Sequence, residues 1–371
     1  MNSLDMLPAE IHFQIMGYLE PKSLSRLSMT SKEFHMKCSA EYFWLQYCRE
    51  FGVNGLGSGP IRSYRKLYTQ LLHNNGWLLG YWFGNFPVNG EFIKTEWDQD
   101  TNSLTAYRVS CQNTASPIVR PRANNPAPLH IEQLSLTTRK DKIFSVSINE
   151  ITSKLEFRCA ENHAVELWKR PFHSHEGSNL WATMENELKT DPNSATDLQT
   201  PSIPSAERPS FSWKCCESCH EFAGFHANGF IPGLAKLHPD EVQPTKERPM
   251  QGVWVGTYGM HGCEILLFNQ NPATHELTAR KLTGDLNIPR SELTFVAHMD
   301  DEHKHTNLIG FENGRLFKGQ GQIATLGFFD RSMTDIEVIV LSEDEVAVHW
   351  PSLNRIARYQ RVLDSQASLI C

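Results

Sequence analysis

Long apolar runs are missing from this chain of 371 residues. No stretch approaches the ~18–20 consecutive apolar residues that a spanning helix needs, so no membrane partner is expected. Basic clusters are missing as well. Lys and Arg number 35 against 42 Asp and Glu, and they are scattered, leaving a formal charge of −7. Without a basic stripe to track a phosphate backbone, nucleic acid is not an expected partner. The opening "MNSLDMLPAEIHF" has no basic region followed by an apolar run, so no signal peptide is expected there. Nine cysteines, an odd number, then suit the reduced thiols of the cytosol or nucleus. Catalytic signatures are absent too: there is no G-x-S-x-G, no H-E-x-x-H and no glycine loop that cradles phosphate. "GQGQ" at 319–322 lacks the lysine that would follow. His261 and Glu264, three apart on a strand, would face opposite ways. The expectation is a non-catalytic protein.

What is present begins at Leu7, with "LPAEIHFQIMGYLEPKSLSRLSMTSKEFHMKCSAEYFWLQYC". Pro8 suits a first helical turn, where its missing N–H costs nothing. Ile11, Ile15 and Leu19 recur every four residues, which marks one helical face. Pro21 is expected to end that helix and Ser23 to cap a second, in which Leu24 and Leu27 share a face. A third helix is expected over 31–50, carrying Phe34, Phe43, Trp44 and Tyr47. Three helices in about 45 residues make a small core. An apolar stripe through Leu7, Pro8, Ile11 and Ile15 would be better buried against another chain, although a hairpin capping the following domain would also explain it.

The ordered set L-P-x-E-I at 7–11, Ile15, Tyr18-Leu19, Pro21, Leu24, Leu27, Lys32 and Trp44 resembles the F-box. That resemblance implies docking onto the Skp adaptor of a cullin–RING ubiquitin ligase, with Leu7, Pro8, Ile11, Ile15, Leu19, Leu24, Leu27 and Trp44 as adaptor-binding candidates.

Residues 51–75 read as a glycine-rich loop and a helical linker, "IRSYRKLYTQLLHN", with Tyr64, Leu67, Tyr68, Leu71 and Leu72 at helical spacing. From 76 to 371 the texture is of about ten short strands separated by Gly, Pro, Asn and Asp, which predicts an antiparallel sandwich or barrel. The expected class is therefore α+β and multidomain: an F-box over 1–50, a linker over 51–75 and a β-barrel substrate domain over 76–371. Two segments look like exposed loops. One is "SCQNTASPIVRPRANNPAPLH"; the other is a Ser/Thr/Pro-rich insert near 186–212, which reads as disordered and whose "TPSIP" could carry phosphate.

"GVWVGTYGMHGCEILLF" (252–268) and "ARKLTGDLNIPRSELTF" (279–295) are the most distinctive stretches. Gly256, Gly259 and Gly262 suggest close backbone approach or positive φ. Gly284-Asp285 is turn chemistry, in which Asp285 can close an Asx turn. The string G-T-Y-G-x-H-G-x-E-I at 256–265, with T-G-D-x-N-I-P at 283–289, resembles the F-box only protein 31 family. Residues 110–245 depart freely from the family pattern. The resemblance implies a barrel that captures protein chain ends, including C-termini that end in an amide. Asp285 would accept from a terminal N–H₂ and repel a free carboxylate. Tyr258, His261 and Asn287 would supply further hydrogen bonds, and Trp254 or Phe268 an apolar wall. The rival readings are a small-molecule-binding barrel and a receptor for an internal or phosphorylated degron.

"WKCCESCHEF" (213–222) holds a C-x-x-C-H string. Cys216 and Cys219 could supply two thiolates to a structural zinc, with His220 and His226 completing a tetrahedron; Cys215, His173, His175, Cys159 and His163 are further candidates. No cofactor is required for the adaptor reading, and zinc would act as a clip.

Overall fold

The computed structural model describes residues 7–84, 90–122, 125–149, 151–159, 166–172, 233–257, 259, 262–303, 308 and 310–362. The chain divides into two compact units. The first comprises Met1–Gly80, Thr95–Ala106 and Lys142–His163, and the second comprises Tyr81–Lys94, Tyr107–Asp141 and Ala164–Cys371.

In the first unit, α1 (Ala9–Gly17) starts after Pro8 at its N-cap. Pro21 opens α2 (Pro21–Leu27) at its first position with Glu20 as cap, so it begins a helix where the sequence suggested an ending, and Ser23 lies inside. Proline tolerates that position because no backbone donor is needed there. The expected third helix is two. Ser31 caps α3 (Lys32–Cys38) by accepting from the Phe34 N–H at 3.1 Å. The break before α4 (Glu41–Arg49) has a local cause. The Ser39 hydroxyl bonds back to the His35 carbonyl at 2.6 Å, which also accepts from the Ser39 N–H, and the Trp44 indole takes the Cys38 carbonyl at 2.9 Å, an acceptor that a continuing helix would have offered to the Tyr42 N–H. The linker is helical, as expected: α5 (Tyr64–Leu67), a π turn (Tyr68–Leu72), α6 (His73–Asn75) and a 3-10 turn (Gly76–Leu78). It joins the same core, where Tyr68 packs on Trp44, Tyr47 and Phe51, and Glu41 holds the Ser63 hydroxyl at 2.7 Å.

Two sheets follow. The seven-stranded sheet has the order β7-β6-β3-β2-β1-β9-β8. Its strands are β1 (Gly80–Gly84), β2 (Glu91–Asp98), β3 (Ser103–Asn113), β6 (Leu136–Ile148), β7 (Leu155–Cys159), β8 (Glu166–Phe172) and β9 (Gly233–Leu237). β8 and β9 are parallel neighbours although residues 173–232 lie between them. The sheet forms a half-barrel.

The second sheet closes on itself. β10 (Gly252–Thr257), β11 (Cys263–Asn271), β12 (Glu276–Lys281), β13 (Leu293–His303), β14 (Arg315–Thr325), β15 (Phe329–Ser342), β16 (Glu345–Trp350) and β17 (Arg355–Arg361) pair in chain order. β10 then pairs antiparallel with β17, Trp254 opposite Arg361 and Thr257 opposite Arg358. This is an antiparallel eight-stranded barrel with no free edge between its first and last strands, as the α+β expectation required. Bulges at Ala279/Arg280, Ala297/Glu302, Ile323/Thr325 and Val340/Ser342 bend the strands round.

Strand period two separates the faces. Trp254, Phe268, Phe295, Phe317, Trp350 and Tyr359 point inward and fill the barrel, as eight strands allow. Val253, Val255, Ile265 and Leu267 point outward and are covered by Tyr81, Phe83 and Phe92 of β1 and β2. The Pro/Asn-rich segment read as a loop is instead a hairpin, β4 (Ile118–Arg122) and β5 (Asn125–Ile131), that extends the barrel sheet parallel to β17. Burial explains it: Leu129 and Ile131 pack with Leu316, Ile339 and Ile356, and Pro121 falls where the register shifts. The insert near 186–212 lies outside the described residues.

Candidate functional site

Among the described residues, two places combine exposure with chemistry. The first is α1. His12 and Met16 turn into the core of the first unit, while Leu7, Ile11, Phe13 and Ile15 remain 36%, 38%, 39% and 38% exposed. Pro8 is exposed beside them. The other sequence candidates divide. Leu24 and Trp44 are buried in the unit's own core, and Leu19 and Leu27 are half-buried. Sequence spacing missed Phe13, which lies off the four-residue period yet stacks on Phe43 with centroids 5.4 Å apart. It also missed Met29 and Met36, which are 76% and 69% exposed.

The second place is one end of the barrel, and it begins with a glycine. Gly256 on β10 lies opposite Glu264 on β11 and Tyr359 on β17. A Cβ at Gly256 would stand 2.3 Å from the Tyr359 ring, so its absence lets the ring cross β10. The Tyr359 hydroxyl then donates to Glu264 Oε1 at 2.5 Å. Lys281, at the end of β12, bridges two carboxylates: its Nζ donates to Glu264 Oε2 at 2.7 Å and to Asp285 Oδ2 at 2.6 Å.

Asp285 is held twice. Its Oδ1 accepts from the backbone N–H groups of Asn287 at 2.7 Å and Ile288 at 2.9 Å, the Asx-turn geometry. Asn287 is tied down in turn, its amide donating to the Ala324 carbonyl at 2.9 Å.

Electrostatics follow from burial. Burial works to raise the Asp285 carboxyl, but the Lys281 charge and the bonds to Lys281, Ile288 and Asn287 outweigh it, and its pKa is lowered. Burial likewise works to lower Lys281, whose side chain is 2% exposed, yet Glu264 and Asp285 together raise it. One ammonium between two carboxylates leaves a net negative charge beside a site that is 15% exposed at Asp285. The cluster favours a donor or a cation and disfavours an anion.

The remaining candidates are placed as follows. Trp254 is fully buried in the barrel, stacked on Phe268 at 4.7 Å, with its indole donating to the Met250 carbonyl at 3.0 Å. Tyr258, His261, Cys216, Cys219, His220 and His226 lie outside the described residues. The Gly262 N–H donates to the Gly259 carbonyl at 3.3 Å, closing a turn in which the two glycines have φ of 79° and 55°, the backbone role their residue type suggested. Beside it, Glu132 was invisible to sequence reasoning. It is buried and accepts from Arg355 at 2.7 Å and from Thr257 at 3.3 Å. Only the parallel addition of β5 to β17 brings Glu132 and Arg355 together.

Residues 4–50 match the family described as F-box-like. The N-terminal unit carries an F-box-like domain. Residues 234–365, which cover the whole barrel behind that F-box, match the family described as "Cyclin D1 binding domain". Among curated proteins the chain is similar to Protein EXECUTER 1, chloroplastic, of Arabidopsis thaliana, 28% identical over 131 residues. It is also similar to Protein EXECUTER 2, chloroplastic, of Oryza sativa subsp. japonica, 31% identical over 115 residues. These matches span 30% and 27% of this chain but only 19% and 18% of the relatives.

Proposed function

We propose that this chain is a substrate-recognition subunit of an SCF-type cullin–RING ubiquitin ligase. The F-box docks the Skp adaptor through α1, and the barrel holds a protein substrate. The apolar face of α1 carries the reading, because it is exposed on a helix whose other side is already buried. A fully buried Leu or Ile contributes roughly 1.5–3 kcal/mol, and these residues have little more than a third of that left to gain. Four of them supply about 2–4 kcal/mol, short of the ~8 kcal/mol of a micromolar complex. The adaptor must therefore cover further side chains, for which exposed Met29 and Met36 are suited. The role itself needs no catalytic residue: fixing a substrate lysine near the charged ubiquitin carrier raises its effective concentration. Such a complex works in the cytosol or nucleus.

For the barrel, the match to a cyclin D1-binding family supports a protein ligand, and the likeness to the F-box only protein 31 family supports a chain end. A carboxylate offers about four lone-pair sites. Asp285 uses three, on Lys281, Asn287 and Ile288, which leaves one for a terminal N–H₂, while the net negative cluster repels a free carboxylate.

One titration series tests both halves. Ile11→Glu/Ile15→Glu should lose adaptor binding by 100-fold or more with unchanged thermal stability, since both side chains are exposed; retained binding would sink the ligase reading. Matched peptides ending in an amide or a carboxylate are then titrated into the wild-type complex and into Asp285→Asn. The amide should bind better, and the preference should vanish in the variant. Equal weak binding of both leaves the F-box role standing and moves the search to an internal or phosphorylated degron.

A further inference from the structure

The end of the barrel that holds Asp285 also carries an apolar patch that the hydrogen-bonding cluster does not use. Leu286, Leu326 and Phe329 are 63%, 66% and 69% exposed. Leu286 follows Asp285 in the chain, while the other two sit at the tip of the β14–β15 hairpin. Two hydrogen bonds tie that tip to the Asp285 loop. The Gly327 N–H donates to the Leu286 carbonyl at 2.8 Å, and the Asn287 amide donates to the Ala324 carbonyl at 2.9 Å. The Phe329 ring lies against the same turn, since a Cβ on Gly327 would stand 2.9 Å from it. Three large apolar side chains are thus gathered one residue away from the Asp285 carboxylate.

The hairpin turn holds its shape at a cost. The Phe328 N–H closes it on the Thr325 carbonyl at 3.0 Å, with Phe328 at a φ of 63°, a conformation that a bulky residue rarely takes. Such strain persists only where the surroundings enforce it, and it clusters at binding sites. Here the enforcing contacts are local. The Arg331 guanidinium lies over the Phe328 ring at 4.8 Å, and Asp330 accepts from the Thr325 hydroxyl at 3.1 Å. The charges beside the turn are therefore engaged within it, and Phe328 is half-buried while Phe329 stands in solvent. A contiguous apolar surface rimmed by polar groups marks a binding surface.

The neighbouring charge decides what covers it. Glu264, Lys281 and Asp285 carry a net negative charge, and Asp285 has one acceptor position left, so the group seated beside the patch is a neutral donor or a cation and not a carboxylate. A residue that places its terminal amide at Asp285 brings its own side chain to the adjacent position, Leu286, and to the hairpin tip bonded to it. We propose that this patch receives the last side chain of the substrate, so that the barrel selects amidated chain ends whose final residue is large and apolar. The proposal rests on the chain-end reading and adds a side-chain requirement to it.

Titration of the full chain with amidated and free-acid peptides, Gly-Ser-Gly-Ser followed by Gly, Ala, Leu or Phe, tests it. The amides ending in Leu and Phe should bind at least tenfold more tightly than the amide ending in Gly, with Ala between. Burial of one CH₂ implies about fourfold, so tenfold asks for about two buried carbons. Leu286→Ser/Phe329→Ser should bring the Leu amide to within twofold of the Gly amide while keeping the amide-over-acid preference of the Gly pair. Both side chains are exposed, so thermal unfolding of this variant should match the wild type. Asp285→Asn should do the reverse, abolishing the amide preference and keeping the tenfold gain from Leu. A chain that prefers amides but treats Leu and Gly alike overturns this proposal and leaves the chain-end reading standing. A chain that prefers Leu equally as amide and as acid overturns the chain-end reading and this proposal with it. Concentration-dependent dimerisation that the double serine variant abolishes also overturns it, since the patch would then belong to a second copy.

Discussion

Lys281 shows how a single side chain can set the terms for its neighbours. Removing one partner from a buried ionic cluster typically costs about 3–5 kcal/mol, because the charges left behind stay uncompensated. Lys281→Met should therefore lower urea-unfolding stability at pH 7 by about that much. The pH dependence carries a sharper signature. In the wild type Asp285 titrates below its ordinary value, so its contribution is present above that value and is lost as pH falls through the folded pKa. Lys281 titrates above its ordinary value, so its contribution holds below that and is lost as pH rises through the folded pKa. The contribution of this pair should be flat between about pH 5 and 9. Without the lysine, the burial that works to raise the Asp285 carboxyl would lose its main opponent, and stability should fall as pH rises from 4 to 7. A flat profile in the variant would mean that the carboxylates find other partners. Asp285 was legible in the sequence because turn chemistry is local. Glu264 and Lys281 were not, since only the β11–β12 register places them together.

Elements were legible in proportion to how local their causes are. The apolar stripe on α1 shows in a four-residue period, and the barrel strands show in alternation. The split between α3 and α4 did not show, because it turns on Ser39 and Trp44 hydrogen bonds. Nor did the β4–β5 hairpin, whose prolines read as loop until the burial of Leu129 and Ile131 is known. The three glycines near β10 look alike in sequence and differ in the structure. Gly256→Ala would press a methyl to within 2.3 Å of the Tyr359 ring and 2.5 Å of the Arg358 carbonyl, and overpacking of this kind costs about 1–3 kcal/mol. Among the described residues, Gly262 has nothing within 4 Å of such a methyl, only a φ of 79°, so Gly262→Ala should cost about 1–2 kcal/mol of backbone strain. The sharper difference is that Gly256→Ala should also disturb the Tyr359 hydroxyl bond to Glu264 and shift the tyrosine absorbance, whereas Gly262→Ala should not. Identical spectra would mean that Tyr359 accommodates the methyl.

For the molecule as a whole, composition and motifs were enough to place helices before strands and an F-box before a barrel. The half-barrel order was beyond them, because β1 has β2 on one side and distant β9 on the other. That order has a consequence for how the gene can change. Parallel β8 and β9 need a crossover of about a dozen residues, and residues 173–232 are far more than that. The entropy of closing a loop grows only with the logarithm of its length, about 0.6 kcal/mol per doubling. Cutting those 60 residues to about 15 should therefore stabilise the unit by only about 1 kcal/mol in denaturant unfolding; a loss of several kcal/mol would mean that the segment contributes packing of its own. By closure entropy alone, a connection between β8 and β9 can vary by tens of residues at little cost, so docking or modification sequences could be gained or lost between these strands while their parallel pairing is kept.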